Sequence, residues 1–271
     1  AYIPRNISNY YIQALVLVSG FMYCGHQVIY STPSGTEAEL AHLQHLSWLR
    51  SLSNPRILEC SRPKARILYG KETAPNEYPW VVALRSHFSG TYAQCGGAIV
   101  THRHVITAAH CLVDLYGDLQ PFDPENVHVM AGVHNLFSYT PKETYHEYIA
   151  ERIFVRPEFP LFLTHDFAVI VVKESIQFSE FVGPICLSPK DIAKPGEVVT
   201  IMGWGETDVK YSSNVLMEAK TTVTDSNKCT TKPWEICTKT KPSATCSGDS
   251  GGPIVWLDPD TNRYTQVSLV S

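Results

Sequence analysis

The stretch at residues 245–253, TCSGDSGGP, constrains this chain more than any other part of it. Ser250 lies among glycines and directly after Asp249. Glycine has no Cβ, so the backbone can turn sharply here and present N–H groups to a ligand. A serine hydroxyl is a poor nucleophile until a neighbouring base takes its proton. The stretch therefore predicts a nucleophile that needs a histidine and a buried acid from elsewhere in the chain.

Two upstream motifs supply such groups. His110 lies in TAAHC at residues 107–111, and Asp166 precedes the apolar run FAVIVV at residues 167–172. With these motifs in the order His, Asp, Ser, the chain resembles the chymotrypsin-like (trypsin-fold) serine proteases from about residue 67 to residue 271. The resemblance implies an all-β fold of two antiparallel Greek-key barrels. We expect the first barrel at about 67–173 and the second at about 185–271.

The same resemblance implies a secreted serine endopeptidase that works through an acyl-enzyme and needs no cofactor. Ser250 would attack the scissile carbonyl, His110 would move its proton, and Asp166 would hold the histidine in the right tautomer. The backbone N–H groups of Gly248 and Ser250 would form the oxyanion hole. The alternative is a catalytically silent homologue that uses the same fold as a binding protein.

The resemblance assigns Ala244, Thr245 and Ser271 to the substrate pocket. Ala244 stands where trypsin-like members carry an aspartate, so strong selection for Lys or Arg is not expected. An uncharged pocket suits apolar or aromatic side chains. Chymotrypsin-like and elastase-like preferences both remain open, because family pocket walls follow the position of Ser271. We therefore interpret the sequence as part of a longer protein whose second barrel is incomplete here.

Residues 64–70, KARILYG, resemble the zymogen cleavage site of the family. A trypsin-like activating protease would cut after Arg66, and the new α-ammonium of Ile67 would pair with Asp249. Residues 26–66 are then a pro-segment. A capping-box pattern at 36–39 and leucines spaced along 40–49 predict a short amphipathic helix there. We favour packing of this helix on the protease over docking of an activator.

Residues 1–25 are interpreted as a secretory leader, in preference to an N-terminal membrane anchor. Arg5 precedes an apolar run at 10–23, which is shorter than the about 20 residues that span a bilayer. Eight cysteines indicate an oxidising, extracellular compartment. The net charge of −4 is small, and it does not indicate a nucleic-acid partner. The expected partners are protein or peptide substrates, the activating protease and protein inhibitors.

Three disulfides are implied by the resemblance: Cys95–Cys111, Cys60–Cys186 and Cys229–Cys237. A disulfide closing a loop as short as the first one stabilises a protein by about 3 kcal/mol in the chain-entropy model. Cys24 and Cys246 are left over. No metal is expected, because Val133 stands where the calcium loop of the family has its first carboxylate and a hard cation needs oxygen ligands.

Overall fold

The computed structural model describes the part of the chain that follows the predicted activation junction. The described residues are 70–88, 90–115, 117, 119–137, 144–156, 158–159, 165–187, 193–206, 213–225, 236–239 and 248–271. The predicted leader, pro-segment helix and cleavage site lie outside them, as do Ala244 and Thr245. Those expectations therefore stay predictions.

The first half of the described chain forms a closed barrel of antiparallel strands in the order β2-β3-β4-β7-β6-β5. Its strands are β2 (Val81–Phe88), β3 (Thr91–Ile99), β4 (His104–Thr107), β5 (Val127–Ala131), β6 (His146–Val155) and β7 (Ala168–Val172). Two short 3-10 helices, η1 (Ala109–Cys111) and η2 (Pro124–Asn126), lie between β4 and β5. The prediction of a β-barrel in this half is confirmed.

Apolar runs explain most of these strands. Every residue of β7 is buried, as expected for a β-branched segment inside a closed barrel. The strand β6 is different, because sequence reasoning did not anticipate it. Its Tyr148 and Ala150 are buried while Glu147, Ile149 and Glu151 are exposed, which is the period-2 alternation of a half-buried strand. Ile149 interrupts that signal in the sequence, because it is an apolar residue on the outward side.

The second half forms a six-stranded sheet in the order β1-β10-β9-β11-β12-β8. Its strands are β1 (Lys71–Glu72), β8 (Cys186–Leu187), β9 (Val198–Gly203), β10 (Met217–Thr222), β11 (Pro253–Asp258) and β12 (Arg263–Leu269). All pairings are antiparallel except that between β8 and β12. The mostly antiparallel, two-part architecture is the fold class that the sequence predicted.

The boundary between the halves differs in one respect from the predicted 67–173. Strand β1 precedes the barrel along the chain but pairs with β10 of the second sheet, with Lys71 opposite Glu218. Lys71 Nζ lies 2.7 Å from Glu218 Oε1, and Tyr78 donates a hydrogen bond to the other oxygen of the same buried carboxylate. The start of the domain is therefore attached to the second sheet by charge as well as by backbone pairing.

The two halves share one apolar core. Met202, Trp204 and Leu216 of the second half pack in the same buried cluster as the interior of the barrel. A smaller cluster under the second sheet contains Val199, Ile201, Val223, Ile254, Val267 and Val270. Because the barrel and the sheet bury apolar surface against each other, the loops at their junction are held in fixed relative positions. Within the described residues, no helix has the length and apolar character needed to cross a bilayer.

Candidate active site

His110 is held in place by the chain on both of its sides. It lies in η1, immediately after β4. The next residue, Cys111, forms a disulfide with Cys95 of β3, with the two Cα atoms 6.2 Å apart. This is the pairing expected for the short loop around His110. The side-chain nitrogen and sulfur atoms of Cys95, His110 and Cys111 lie close together, as metal ligands would. The disulfide explains this closeness, and its bonded sulfurs offer no thiolate to a metal.

Asp166 binds His110 through both of its carboxylate oxygens. The ring nitrogen Nδ1 of His110 lies 2.6 Å from Oδ2, and the backbone N–H of His110 donates to Oδ1 at 2.8 Å. Asp166 is 3% exposed, whereas a quarter of the His110 side chain reaches the surface. The carboxylate therefore fixes the ring from behind, and Nε2 of the ring lies 3.8 Å from Cys111 Sγ.

The backbone before Asp166 is shaped for this contact. His165 has φ of +59°, a left-handed conformation that is uncommon outside glycine but enriched for histidine. The N–H of Phe167 donates to the carbonyl of His165 at 2.7 Å, which closes the turn. The chain then enters β7, which pairs with β4. Asp166 and His110 consequently flank the same pair of strands at one end of the barrel.

Ser271 is a third partner of Asp166, and its hydroxyl donates to Oδ2. Burial by itself raises the pKa of Asp166. Hydrogen bonds from His110 and Ser271, with the attraction of the histidine, outweigh that effect and hold the pKa below its usual range. Sequence reasoning had assigned Ser271 to the substrate pocket and had not linked it to the acid. No local pattern could have shown a contact across 105 positions.

Ser250 is attached to the barrel through its backbone. Its carbonyl accepts a hydrogen bond of 2.7 Å from the N–H of Gly96, the residue after Cys95. The next residue, Gly251, donates to the carbonyl of Val270 at 2.6 Å. The segment carrying Ser250 is therefore tied both to the disulfide that holds His110 and to the strand end that presents Ser271. The three elements meet at one junction of the barrel and the second sheet.

Close packing leaves no room for side chains in this segment. Gly251 has φ of +78°, and a Cβ there would overlap Thr107 Oγ1 and the carbonyl of Gly96. Thr107 in turn donates to that carbonyl at 2.8 Å. The glycine after Ser250 is thus required by the approach of two backbones, as the sequence suggested. Thr107 and Gly96 are supporting residues that sequence reasoning did not single out.

Asp249 lies beside Ser250 but points the other way, into the protein. It has no exposed surface, and its Oδ1 accepts a hydrogen bond of 2.8 Å from the N–H of Gly205. A Cβ on Gly205 would lie 2.5 Å from Asp249 Oδ1, so a glycine is needed to admit the carboxylate. The carbonyl of Asp249 accepts from Gly252 at 2.9 Å, which closes the tight turn around Ser250.

The remaining predicted residues are described only in part. Gly248 has φ of +94° and is the first described residue of this turn. Cys186 and Cys237 are both disulfide-bonded, but their predicted partners, Cys60 and Cys229, lie outside the described residues. Val133 is buried, and its side chain carries no oxygen.

A barrel joined to a second antiparallel sheet, with a histidine–aspartate pair and a glycine-flanked serine at the junction, defines the class of chymotrypsin-like serine proteases. The family model described as Trypsin matches residues 67–270. The chain therefore belongs to the trypsin family of serine proteases.

Relatives carry names of the same kind. The chain is 31% identical over 222 residues to "Venom serine protease" of Polistes dominula, covering 76% of each chain. It is 30% identical over 226 residues to "Proclotting enzyme" of Tachypleus tridentatus, covering 76% of this chain and 59% of that one. It is 28% identical over 224 residues to "Melanization protease 1" of Drosophila melanogaster, covering 71% of this chain and 54% of the relative. The chain thus spans little more than half the length of the last two relatives.

Proposed function

We propose that this chain is a secreted serine endopeptidase that cleaves peptide bonds through an acyl-enzyme formed on Ser250. The observation that carries the proposal is the double hydrogen bond from His110 to the buried Asp166. An imidazole held in this way keeps Nδ1 protonated towards the acid, so Nε2 is the basic nitrogen available to a nucleophile. Membership of the trypsin family supports the same activity.

The proposed reaction uses the side chains of Ser250 and His110 together with two backbone N–H groups. The Ser250 oxygen adds to the scissile carbonyl carbon as His110 Nε2 takes its proton, and the carbonyl oxygen becomes an oxyanion. The N–H groups of Gly248 and Ser250 stabilise that oxyanion. The tetrahedral intermediate then collapses, the C–N bond breaks, and His110 returns the proton to the leaving amine. A water molecule, deprotonated by His110, hydrolyses the acyl-enzyme in the same way.

The reaction can be tested with a fluorophosphonate that labels activated serines. We expect label on the wild-type protein after trypsin treatment and none on Ser250→Ala. Ser175→Ala, which changes an exposed serine in a loop of the barrel half, is the matched control and should label fully. Equal labelling of Ser250→Ala would refute the proposed nucleophile. A folded, trypsin-cleaved wild type that takes no label would instead identify a catalytically silent binding protein.

We propose further that the protein is made as a zymogen activated by cleavage after Arg66. A buried carboxylate is favoured when it pairs with a positive charge, and Asp249 is fully buried beside the oxyanion segment. The α-ammonium of Ile67 would serve as a partner and order that segment. The variant Arg66→Gln should gain no activity on trypsin treatment. Activation at the wild-type rate would contradict the proposed junction.

The proposed substrates are peptides with an apolar or aromatic side chain before the cleaved bond. The uncharged residues Ala244 and Thr245 support this, because a pocket without a carboxylate has nothing to neutralise Lys or Arg. A peptide library should be cleaved after large apolar residues or after small ones. Either profile fits the uncharged pocket, whereas a profile led by Arg or Lys would contradict it. Extracellular location is supported by the disulfide-bonded cysteines and by the venom relative.

A further inference from the structure

A pair of histidines on the outer face of the barrel is not used by the proposed reaction. His87 lies on β2 and His128 on β5. The register of the two strands places Arg85 opposite His128, so His87, two residues further along, is a diagonal neighbour on the same face. Their ring centres are 5.1 Å apart, with the ring planes at 69°.

We propose that His87 and His128 together bind a divalent transition-metal ion of the zinc class, one ring nitrogen from each. Two imidazoles on one tetrahedral zinc, with Zn–N distances of about 2.0–2.1 Å, bring their ring centres to about 5 Å from each other. The observed separation matches that value. Water or a side chain of a bound partner would complete the coordination, so this is an exchangeable site and not a structural one.

A carboxylate already orients one of the two rings. Glu147 Oε1 lies 2.6 Å from His128 Nδ1, which leaves Nε2 of His128 as the nitrogen for the metal. The other carboxylate oxygen accepts a hydrogen bond of 3.0 Å from Tyr145, so the acid is fixed at both ends. A histidine whose second nitrogen binds a carboxylate is the usual arrangement around protein-bound zinc, because the acid sets the tautomer and makes the ring a better ligand.

The remaining ring nitrogens are available. Across the described part of the chain, neither nitrogen of His87 nor Nε2 of His128 makes a hydrogen bond. His87 is exposed, and 27% of the His128 side chain is accessible. Both side chains therefore present ring edges that solvent can reach.

Two other charged or aromatic groups on this face shape the site. The guanidinium of Arg85 lies 5.5 Å over the ring of Tyr92, an arrangement that holds the cation by its attraction to the ring face. The ring of Tyr92 also lies 5.9 Å from that of His87, with the ring planes at 48°. Glu147 offsets the positive charge of Arg85, so the face can accept a cation.

The test is a zinc titration of the purified full chain, followed by calorimetry or by competition with a chromophoric chelator. We expect one ion bound at this face. His87→Gln and His128→Gln should each weaken binding by about tenfold or more, and Glu147→Gln by about tenfold through its effect on His128. His102→Gln changes a histidine at the β3–β4 turn that stacks on Phe178, and it should bind like the wild type.

The chain has 11 histidines, and two further variants address two other candidate sites. The double variant His42→Gln/His45→Gln changes two histidines three apart in the predicted pro-segment helix, and His110→Ala changes the proposed base. Both should keep the wild-type affinity. Unchanged binding in His87→Gln and His128→Gln would overturn the proposal, as would loss of binding only in the pro-segment or His110 variants. Thermal unfolding of each variant in the absence of zinc separates a lost ligand from a lost fold.

Discussion

The backbone N–H of Gly96 donates a hydrogen bond of 2.7 Å to the carbonyl of Ser250. This bond joins the barrel to the segment that carries the proposed nucleophile. Gly96 follows Cys95, whose disulfide to Cys111 holds His110. The proposed base and the proposed nucleophile are therefore positioned from one strand, β3, although they lie 140 positions apart in sequence. The predictions below test how the residues around this junction depend on one another.

Replacing Asp166 with asparagine should lower kcat by about four orders of magnitude while leaving KM little changed. An amide cannot accept hydrogen bonds at both of its atoms, so His110 would lose either the ring contact or the correct tautomer. Steady-state hydrolysis of a peptide ester or amide after trypsin activation is the measurement. Asp260→Asn, in the exposed turn between β11 and β12, is the control. A loss below tenfold would mean that Asp166 does not orient the base.

Removing the Ser271 hydroxyl should have a smaller effect of the same kind. Ser271→Ala deletes one donor to Asp166, and a hydrogen bond to a charged group contributes about 1.5–3 kcal/mol. We expect kcat/KM to fall by about tenfold or more, with a raised pKa of Asp166 in the folded protein. Steady-state kinetics with the same substrate measure the loss in kcat/KM, and NMR titration of the Asp166 carboxyl measures its pKa. Ser271→Thr keeps the hydroxyl and should recover most of the activity; equal losses in both variants would indicate a packing defect instead.

Adding a methyl group at position 205 should damage the turn around Ser250. In Gly205→Ala the new Cβ would lie 2.5 Å from Asp249 Oδ1, and overpacking of this kind costs about 1–3 kcal/mol. Calorimetry should show the loss in the free energy of unfolding, and activity should fall with it. Gly183→Ala is the matched control, because its Cβ would meet only Pro79 at 4.0 Å. A Gly205→Ala protein as stable and active as that control would contradict the packing argument.

His104 should make the protein less stable as the pH falls below neutrality. Burial, with the nearby Arg103 and Arg152, lowers the pKa of His104 from 6.5 to about 4. The folded state therefore binds fewer protons than the unfolded state between these values, so stability is present above pH 6.5 and is lost as the pH falls towards 4. The loss attributable to this residue is at most about 3 kcal/mol.

Chemical unfolding at several pH values between 7 and 4 checks this expectation (the range follows from the two pKa values of His104). The variant His104→Asn can keep the contact of 2.6 Å that links His104 Nδ1 to Thr101 Oγ1, and it should show a flatter dependence of stability on pH. His102→Asn, in the same turn, should keep the wild-type slope. Identical slopes in wild type and His104→Asn would show that another group carries the acid sensitivity.

Much of the site followed from local sequence, while the sheet arrangement did not. The motifs around His110 and Ser250 are long and specific. The motif around Asp166 is shorter and less specific but precedes an apolar strand, so all three residues could be named before any coordinates. Strand β6 escaped notice because the outward Ile149 is apolar and breaks the alternation between buried Tyr148 and Ala150 and exposed charges. The pairing of β1 with β10 escaped notice because two residues of strand carry no periodicity of their own.

The amino-acid sequence by itself determined the family, the β-rich architecture and the residues of the candidate site, because each depends on a local pattern of residue types. Only the tertiary structure decided that Ser271 donates to Asp166, that Gly205 admits Asp249, and that His87 and His128 meet on one face. These contacts join residues that are distant along the chain. Their geometry is set by strand register and by the packing of the barrel against the second sheet, and neither is encoded in any single stretch of sequence.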